Sequence, residues 1–262
     1  MYVFGDSLVD VGNNNYLPGN GVSRANRAYY GKDYPSSRIP TGRFSNSGLP
    51  VAATRACGRH RSQQGCQLCV RRSWDPQIHR KSRSTAGNTI PLWKQVQYFN
   101  ATRTRIIATH GSSGAVNDLL ARSIFLICIG SNDIFAFAIA TQNNQQMMMR
   151  DAAAFYNSLI SIYSDTIKEL YRMGARRFAI MNVGLVGCVP VARLLSPTGS
   201  CSDGLNKLAA GFNEALSSLM LSLAKTKQLP ELVYSLANSH GVTRWRQGTQ
   251  TLPPRVALHQ PR

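Results

Sequence analysis

Seven residues near the middle of the chain, Ser123-Ile124-Phe125-Leu126-Ile127-Cys128-Ile129, limit its fold more than any other stretch. All but the serine are apolar, and they do not alternate with polar residues. A strand with one wet face would alternate, so a continuous run predicts a parallel strand buried on both faces. The run delivers Gly130-Ser131-Asn132-Asp133 at its carboxyl end. Tyr2-Val3-Phe4 reads as the end of another buried strand, with Gly5 and Asp6 turning the chain and Ser7 where it leaves the sheet. Arg177–Val183 and Leu232–Leu236 are the remaining credible strands. Helical spacing predicts helices over Trp93–Ile107, Val116–Ala121, Ala152–Met173 (with Phe155, Leu159, Ile162, Ile167 and Leu170 inward) and Asp203–Lys227. In the last of these, Leu205, Leu208, Phe212, Leu216, Leu219 and Leu223 should face the core. Met147-Met148-Met149 is expected to pack in a loop rather than form a cofactor box.

A serine at the carboxyl end of a strand in an open α/β sheet sits on the edge where ligands bind. Its hydroxyl is a weak nucleophile until a base and an oxyanion site are supplied from elsewhere. On chemistry alone Gly-Asp-Ser is most often a turn and nothing more. However, Val3-Phe4-Gly5-Asp6-Ser7-Leu8-Val9-Asp10-Val11-Gly12-Asn13-Asn14-Asn15 resembles the first motif block of the plant GDSL esterase/lipase family, within the SGNH hydrolases. The resemblance implies a flavodoxin-like three-layer α/β/α fold with a mainly parallel sheet, here incomplete, and a nucleophilic Ser7 preceded by Asp6. Gly130-Ser131-Asn132-Asp133 is similar to the family's third block, in which Asn132 would donate its side-chain amide to the oxyanion, flanked by Gly130 and Asp133. Asparagine in such a place also caps helices, but the strand context and the match favour the oxyanion role. On this reading Ser7 and Asn132 lie close together at the carboxyl ends of their strands. Thr41-Gly42-Arg43-Phe44-Ser45-Asn46 resembles a further landmark, with Arg43 read as tying a loop to backbone carbonyls. The resemblance also implies a disulfide between Cys188 and Cys201, and no metal or organic cofactor.

At 262 residues and 43% apolar, the chain can bury one sizeable core. No apolar run approaches the ~20 residues of a membrane span. The net charge of +18 is unevenly spread. Residues 55–83 hold eight basic residues against Asp75 alone, and residues 244–262 add four more with no acid, so these two stretches carry more than half of it. A basic patch of this size ordinarily points to nucleic acid or an anionic surface. Bases bound by stacking need aromatics among the charges, and the first stretch offers Trp74 alone. No specific nucleic-acid partner is therefore expected. Cys66-x-x-Cys69 lacks a second pair at zinc-site spacing. Cys128 reads as a small core residue.

From about residue 48 to residue 83 the family pattern breaks. A glycine-rich motif should stand there and supply one backbone oxyanion donor. Codons compatible with Gly65–Pro76, read from the second base, give Ala-Val-Asn-Tyr-Ala-Ser-Gly-Gly-Ala-Gly-Ile, the motif expected. The glycine read across Trp74 and Asp75 is forced by the genetic code. We therefore expect residues 48–83 to be translated out of frame and irregular, leaving the first strand without a regular neighbour on that side. The pattern resumes at Ala86-Gly87-Asn88-Thr89-Ile90-Pro91-Leu92.

Beyond Ser239 the resemblance stops. Residues 1–239 read as the hydrolase-like domain and 240–262 as a divergent tail without packed structure. The family closes on Asp-x-x-His, which provides the base and its orienting carboxylate. This chain has no acidic residue after Glu231, and none of His60, His79, His110, His240 and His259 stands in that motif. His110 falls in a polar loop, and the catalytic Asp and His have no counterpart. By resemblance the reaction is hydrolysis of a small-molecule or lipid carboxylic ester. With the base missing, activity should fall far below that of an intact relative, and a catalytically inactive family member or binding remnant is the alternative. A basic nucleic-acid or anionic-surface binder is the weaker one. The family is secreted, but Met1 stands almost against the first block, which leaves no room for a signal peptide; either a mature start is shown or the start was lost. Nothing in the sequence specifies an oligomeric state.

Overall fold

A computed structural model describes residues 1–6, 8–9, 90–110, 112–141, 145–225 and 229–239, together with the backbone of 68–70 and 257–259. The side chains of residues 110 and 145–149 are also outside the description. Ser7, Arg43 and most of residues 48–83 lie outside the described residues. The strands are β1 (Tyr2–Asp6), β2 (Leu68–Val70), β3 (Ile124–Cys128), β4 (Arg177–Met181), β5 (Val233–Ala237) and β6 (Ala257–His259). The helices are α1 (Leu92–His110), α2 (Ser113–Arg122), α3 (Ser131–Thr141), α4 (Gln145–Arg172), α5 (Pro190–Leu194) and α6 (Asp203–Lys225). This is the α/β class expected. The chain divides into two compact units, Met1–Cys128 with Arg172–Arg177, and Ile129–Tyr171 with Phe178–Arg262.

In the first unit β1 lies between β2 and β3 and is parallel to both. Every residue of β1 is buried, and in β3 only Ile124 is exposed. That burial is why the sequence there does not alternate. Tyr2, Phe4, Phe99 and Phe125 form an aromatic cluster, with Phe99 meeting Tyr2 edge-on at 5.0 Å and Phe125 at 5.4 Å. Such pairs add to the area they bury. The outer turns of α1 are tied down by Arg103, whose Nε donates to the Met173 carbonyl and whose Nη2 donates to Asn117 Oδ1, both at 2.9 Å. Ser112 caps α2, its Oγ accepting from the Ala115 amide.

Two expectations change here. The side of β1 expected to have no regular neighbour carries a short strand, in which Leu68–Val70 of the anomalous segment pair with Phe4–Asp6. These residues fall within the stretch where the shifted frame restores the family motif. His110, expected in a polar loop, is the last residue of α1, since the helix runs three residues beyond Ile107.

In the second unit the strand order is β4-β5-β6, with β6 antiparallel to β5. The tail expected to lack packed structure thus contributes a strand that pairs Ala257–His259 with Tyr234–Leu236. The core is built by α3, α4 and α6. Phe137 stacks on Phe155 at 4.3 Å, and Tyr163 lies 6.2 Å from Phe212. On α6 the buried stripe is Leu208, Ala209, Phe212, Leu216, Met220 and Leu223. Leu205 and Leu219 are only half-buried, because the stripe drifts around the helix and Met220 takes the inward place. On α4 Tyr163 is buried where Ile162 was expected. Met147–Met149 belong to the first turns of α4 rather than to a loop.

Candidate active site

In the first unit the candidate residues stand at the carboxyl end of β1. Gly5 has no room for a side chain, since a Cβ there would run into the Cys128 carbonyl oxygen and Val9 Cγ2. Only glycine permits so close an approach of backbone to backbone. Beyond Gly5 the chain turns, with the Val9 N–H donating to the Asp6 carbonyl at 3.1 Å and the Leu8 N–H donating to Asp6 Oδ1 at 3.2 Å. Burial pushes the Asp6 carboxyl up to about 6, and the Leu8 amide offsets part of that rise. Burial and the Asp6 charge together push the neighbouring Cys128 thiol up to about 12, so this buried free thiol is inert. Ser7, which sits in sequence between these fixed residues, lies outside the described residues.

Gln95 was not foreseen. It is fully buried in the first turns of α1. Its Oε1 accepts from the Gly5 N–H at 3.0 Å, and its Nε2 donates to the Gly5 carbonyl at 3.2 Å and to the Ile90 carbonyl at 3.4 Å. The side-chain amide thus serves both backbone groups of Gly5, as a neighbouring strand would. One signal was available: Gln95 falls on the inward stripe of Leu92, Val96 and Phe99, where an uncharged polar residue needs buried partners.

In the second unit the candidate residues stand in the loop after β3 and at the start of α3. Gly130 has φ = +124°, which disfavours any side chain, and a Cβ there would meet Phe212 Cε1 at 3.0 Å and Val183 Cγ2 at 3.3 Å. The Gly130 carbonyl accepts the Ile134 N–H at 3.0 Å and so begins the helix. Asn132 lies in the first turn of α3, and Asp133 beside it is buried. Asn132 Nδ2 is buried, and no described residue accepts a hydrogen bond from it. A buried amide without an acceptor costs about 1–3 kcal/mol. It stands at the positive end of the α3 dipole, a place that favours negative charge.

Asn213, also unforeseen, repeats the device of Gln95 in this unit. Its Oδ1 accepts from the Val183 N–H at 2.9 Å, and its Nδ2 donates to the Val183 carbonyl at 2.8 Å. Val183 is thereby held against Gly130, beside the ring of Phe212. Further along, Cys188 and Cys201 form a disulfide. Asn206, in the first turn of α6, accepts the Gly187 N–H at 2.8 Å through Oδ1. No histidine side chain is among those described; the backbone of His259 lies in β6. Among the described residues no three His, Cys, Asp or Glu side chains gather as a metal-ligand set, and no helix is long and apolar enough to cross a membrane.

The profile of the GDSL-like lipase/acylhydrolase family matches residues 1–251. A GDSL esterase/lipase of Arabidopsis thaliana is 32% identical over 251 residues, covering 87% of this chain and 64% of the relative. A second from the same plant is 29% identical over 254 residues, 89% of this chain and 62% of its own. A third is 33% identical over 238 residues, 84% of this chain and 62% of its own. The chain therefore spans slightly less than two thirds of the length of these relatives.

Proposed function

The chain belongs to the GDSL-like lipase/acylhydrolase family, and on that premise we propose that it carries the nucleophile and one oxyanion donor of a serine hydrolase for carboxylic esters. Ser7 Oγ attacks the ester carbonyl and a histidine takes its proton; the acyl-serine forms as the alcohol leaves, and water then releases the acid. Asn132 Nδ2 donates to the carbonyl oxygen as it gains charge, together with backbone N–H groups. The observation that carries this reading is the buried Asn132 amide with no acceptor among the described residues. A donor left unspent in the ground state is what transition-state stabilisation requires. Asp6 and Asp133 support the two motif turns. The substrate is a small-molecule or lipid ester, and no metal or cofactor takes part. Residues 1–239 form the hydrolase domain and 240–262 a divergent tail. A secreted location is part of the same reading, because the Cys188–Cys201 disulfide suits an oxidising compartment.

One observation favours a second reading, a chain without useful turnover. Residues 1–262 hold no Asp-x-x-His and no acidic residue after Glu231, so they supply no family-type base. Removing a triad member leaves only residual catalysis, and activity on short acyl esters should lie about three to six decades below that of an intact relative. Fluorophosphonate labelling of the purified chain, with the adduct located by peptide mass spectrometry, tests both readings without knowledge of the substrate. Slow labelling confined to Ser7, lost in Ser7→Ala and slowed about 10²–10³-fold in Asn132→Ala, is the expected result. Labelling as fast as that of an intact relative would overturn the missing base. No labelling even after a family-type Asp-x-x-His block is added would overturn the role of Ser7.

A further inference from the structure

We propose that Gln95 is a positioning residue for the nucleophile, holding the Gly5 peptide so that the turn bearing Ser7 leaves β1 at one fixed point; this rests on the reading of Ser7 given above. Gly5 has no side chain to anchor it, so its position rests on the close backbone approach to Cys128 and on its own backbone hydrogen bonds. The Gln95 amide grips both of its polar groups, at 3.0 and 3.2 Å, from a helix ninety residues downstream. The same amide is itself anchored on Ile90 at 3.4 Å, immediately before that helix. On the far side of Ser7, Asp6 holds the Leu8 and Val9 amides. The first motif block is thus pinned both upstream and downstream of the serine, and Gln95 supplies the upstream pin. Glutamine suits the task because it offers an acceptor and a donor in one rigid plane, matching the N–H and C=O of a single residue.

Two variants test this by hydrogen exchange and by fluorophosphonate labelling of the full chain. In Gln95→Leu, exchange at the Leu8 and Val9 amides should rise at least about tenfold while the Phe125–Ile127 amides of β3 stay protected, and labelling of Ser7 should slow about ten- to a hundredfold. Gln95→Glu guards against a variant that merely unfolds. The carboxylate accepts from the Gly5 N–H, but only the protonated acid can also donate to the Gly5 carbonyl. Relative to the unmutated chain at each pH, its labelling should therefore recover as pH falls. A residue that only fills space would show no such pH profile. Equal loss of protection across β1 and β3, or labelling unchanged in both variants, would overturn the proposal. If Ser7 takes no probe even after a family-type Asp-x-x-His block is added, the reading of Ser7 fails, and the exchange measurement still decides whether Gln95 holds the turn.

Discussion

Replacing Asp6 by asparagine should stabilise the chain at neutral pH and leave it unchanged in acid. The Asp6 carboxyl titrates near 6 rather than 3.8, because burial disfavours the charged form more than the Leu8 amide favours it. Each unit is worth about 1.36 kcal/mol, so keeping the charge in the folded state costs about 3 kcal/mol. Below 3.8 the carboxyl is neutral in both states. Between 3.8 and about 6 the folded chain keeps a proton that the unfolded chain gives up, so stability falls as pH rises. Above about 6 the loss is complete. Asparagine has nearly the same shape, can still accept the Leu8 N–H through Oδ1, and carries no charge. Its advantage should therefore grow from nothing in acid to as much as about 3 kcal/mol above neutrality. Urea unfolding of both chains across that pH range measures the difference directly. Stability curves that stay parallel from acid to alkali would refute the argument. Thiol titration offers an internal check, since removing the Asp6 charge should bring the Cys128 thiol down from about 12.

Gly130→Ala should cost roughly 1–3 kcal/mol, from its positive φ and the contact with the Phe212 ring, and Phe212→Leu in the same chain should not restore the part due to φ; chemical unfolding separates the two. Replacing both Cys188 and Cys201 by serine, which opens a loop with a sequence separation of 13, should lose on the order of 3 kcal/mol, and an unchanged melting temperature would contradict it. Phe212→Ala, at a fully buried ring, should cost about 3–5 kcal/mol in the same assay. Transcript sequencing across residues 48–83 should reveal codons that read as the glycine-rich motif in the second frame, and codons unable to do so would end that explanation.

Much of this architecture was legible because its signals are local. An unbroken apolar run places β3, and an inward stripe recurring every three to four residues places α1, α4 and α6, since burial of one face obliges that spacing. The motif blocks likewise stand on contiguous residues, so Gly130 and Asn132 stand out in the sequence, and the positive φ of Gly130 supplies the reason for its glycine. Other features depend on partners far away in the chain. Nothing near Gln95 announces that its amide serves Gly5, ninety residues earlier, and nothing near Asn213 points to Val183. The same holds for Leu68–Val70 and Ala257–His259, whose sequences carry no family pattern yet pair with β1 and β5. A strand of three residues has no period to read; it exists because an exposed sheet edge offers unpaired N–H and C=O groups to whatever backbone reaches it. The choice of Met220 over Leu219 for the core of α6 is of this kind too. Both are apolar, and only the direction in which the helix meets its neighbours decides between them.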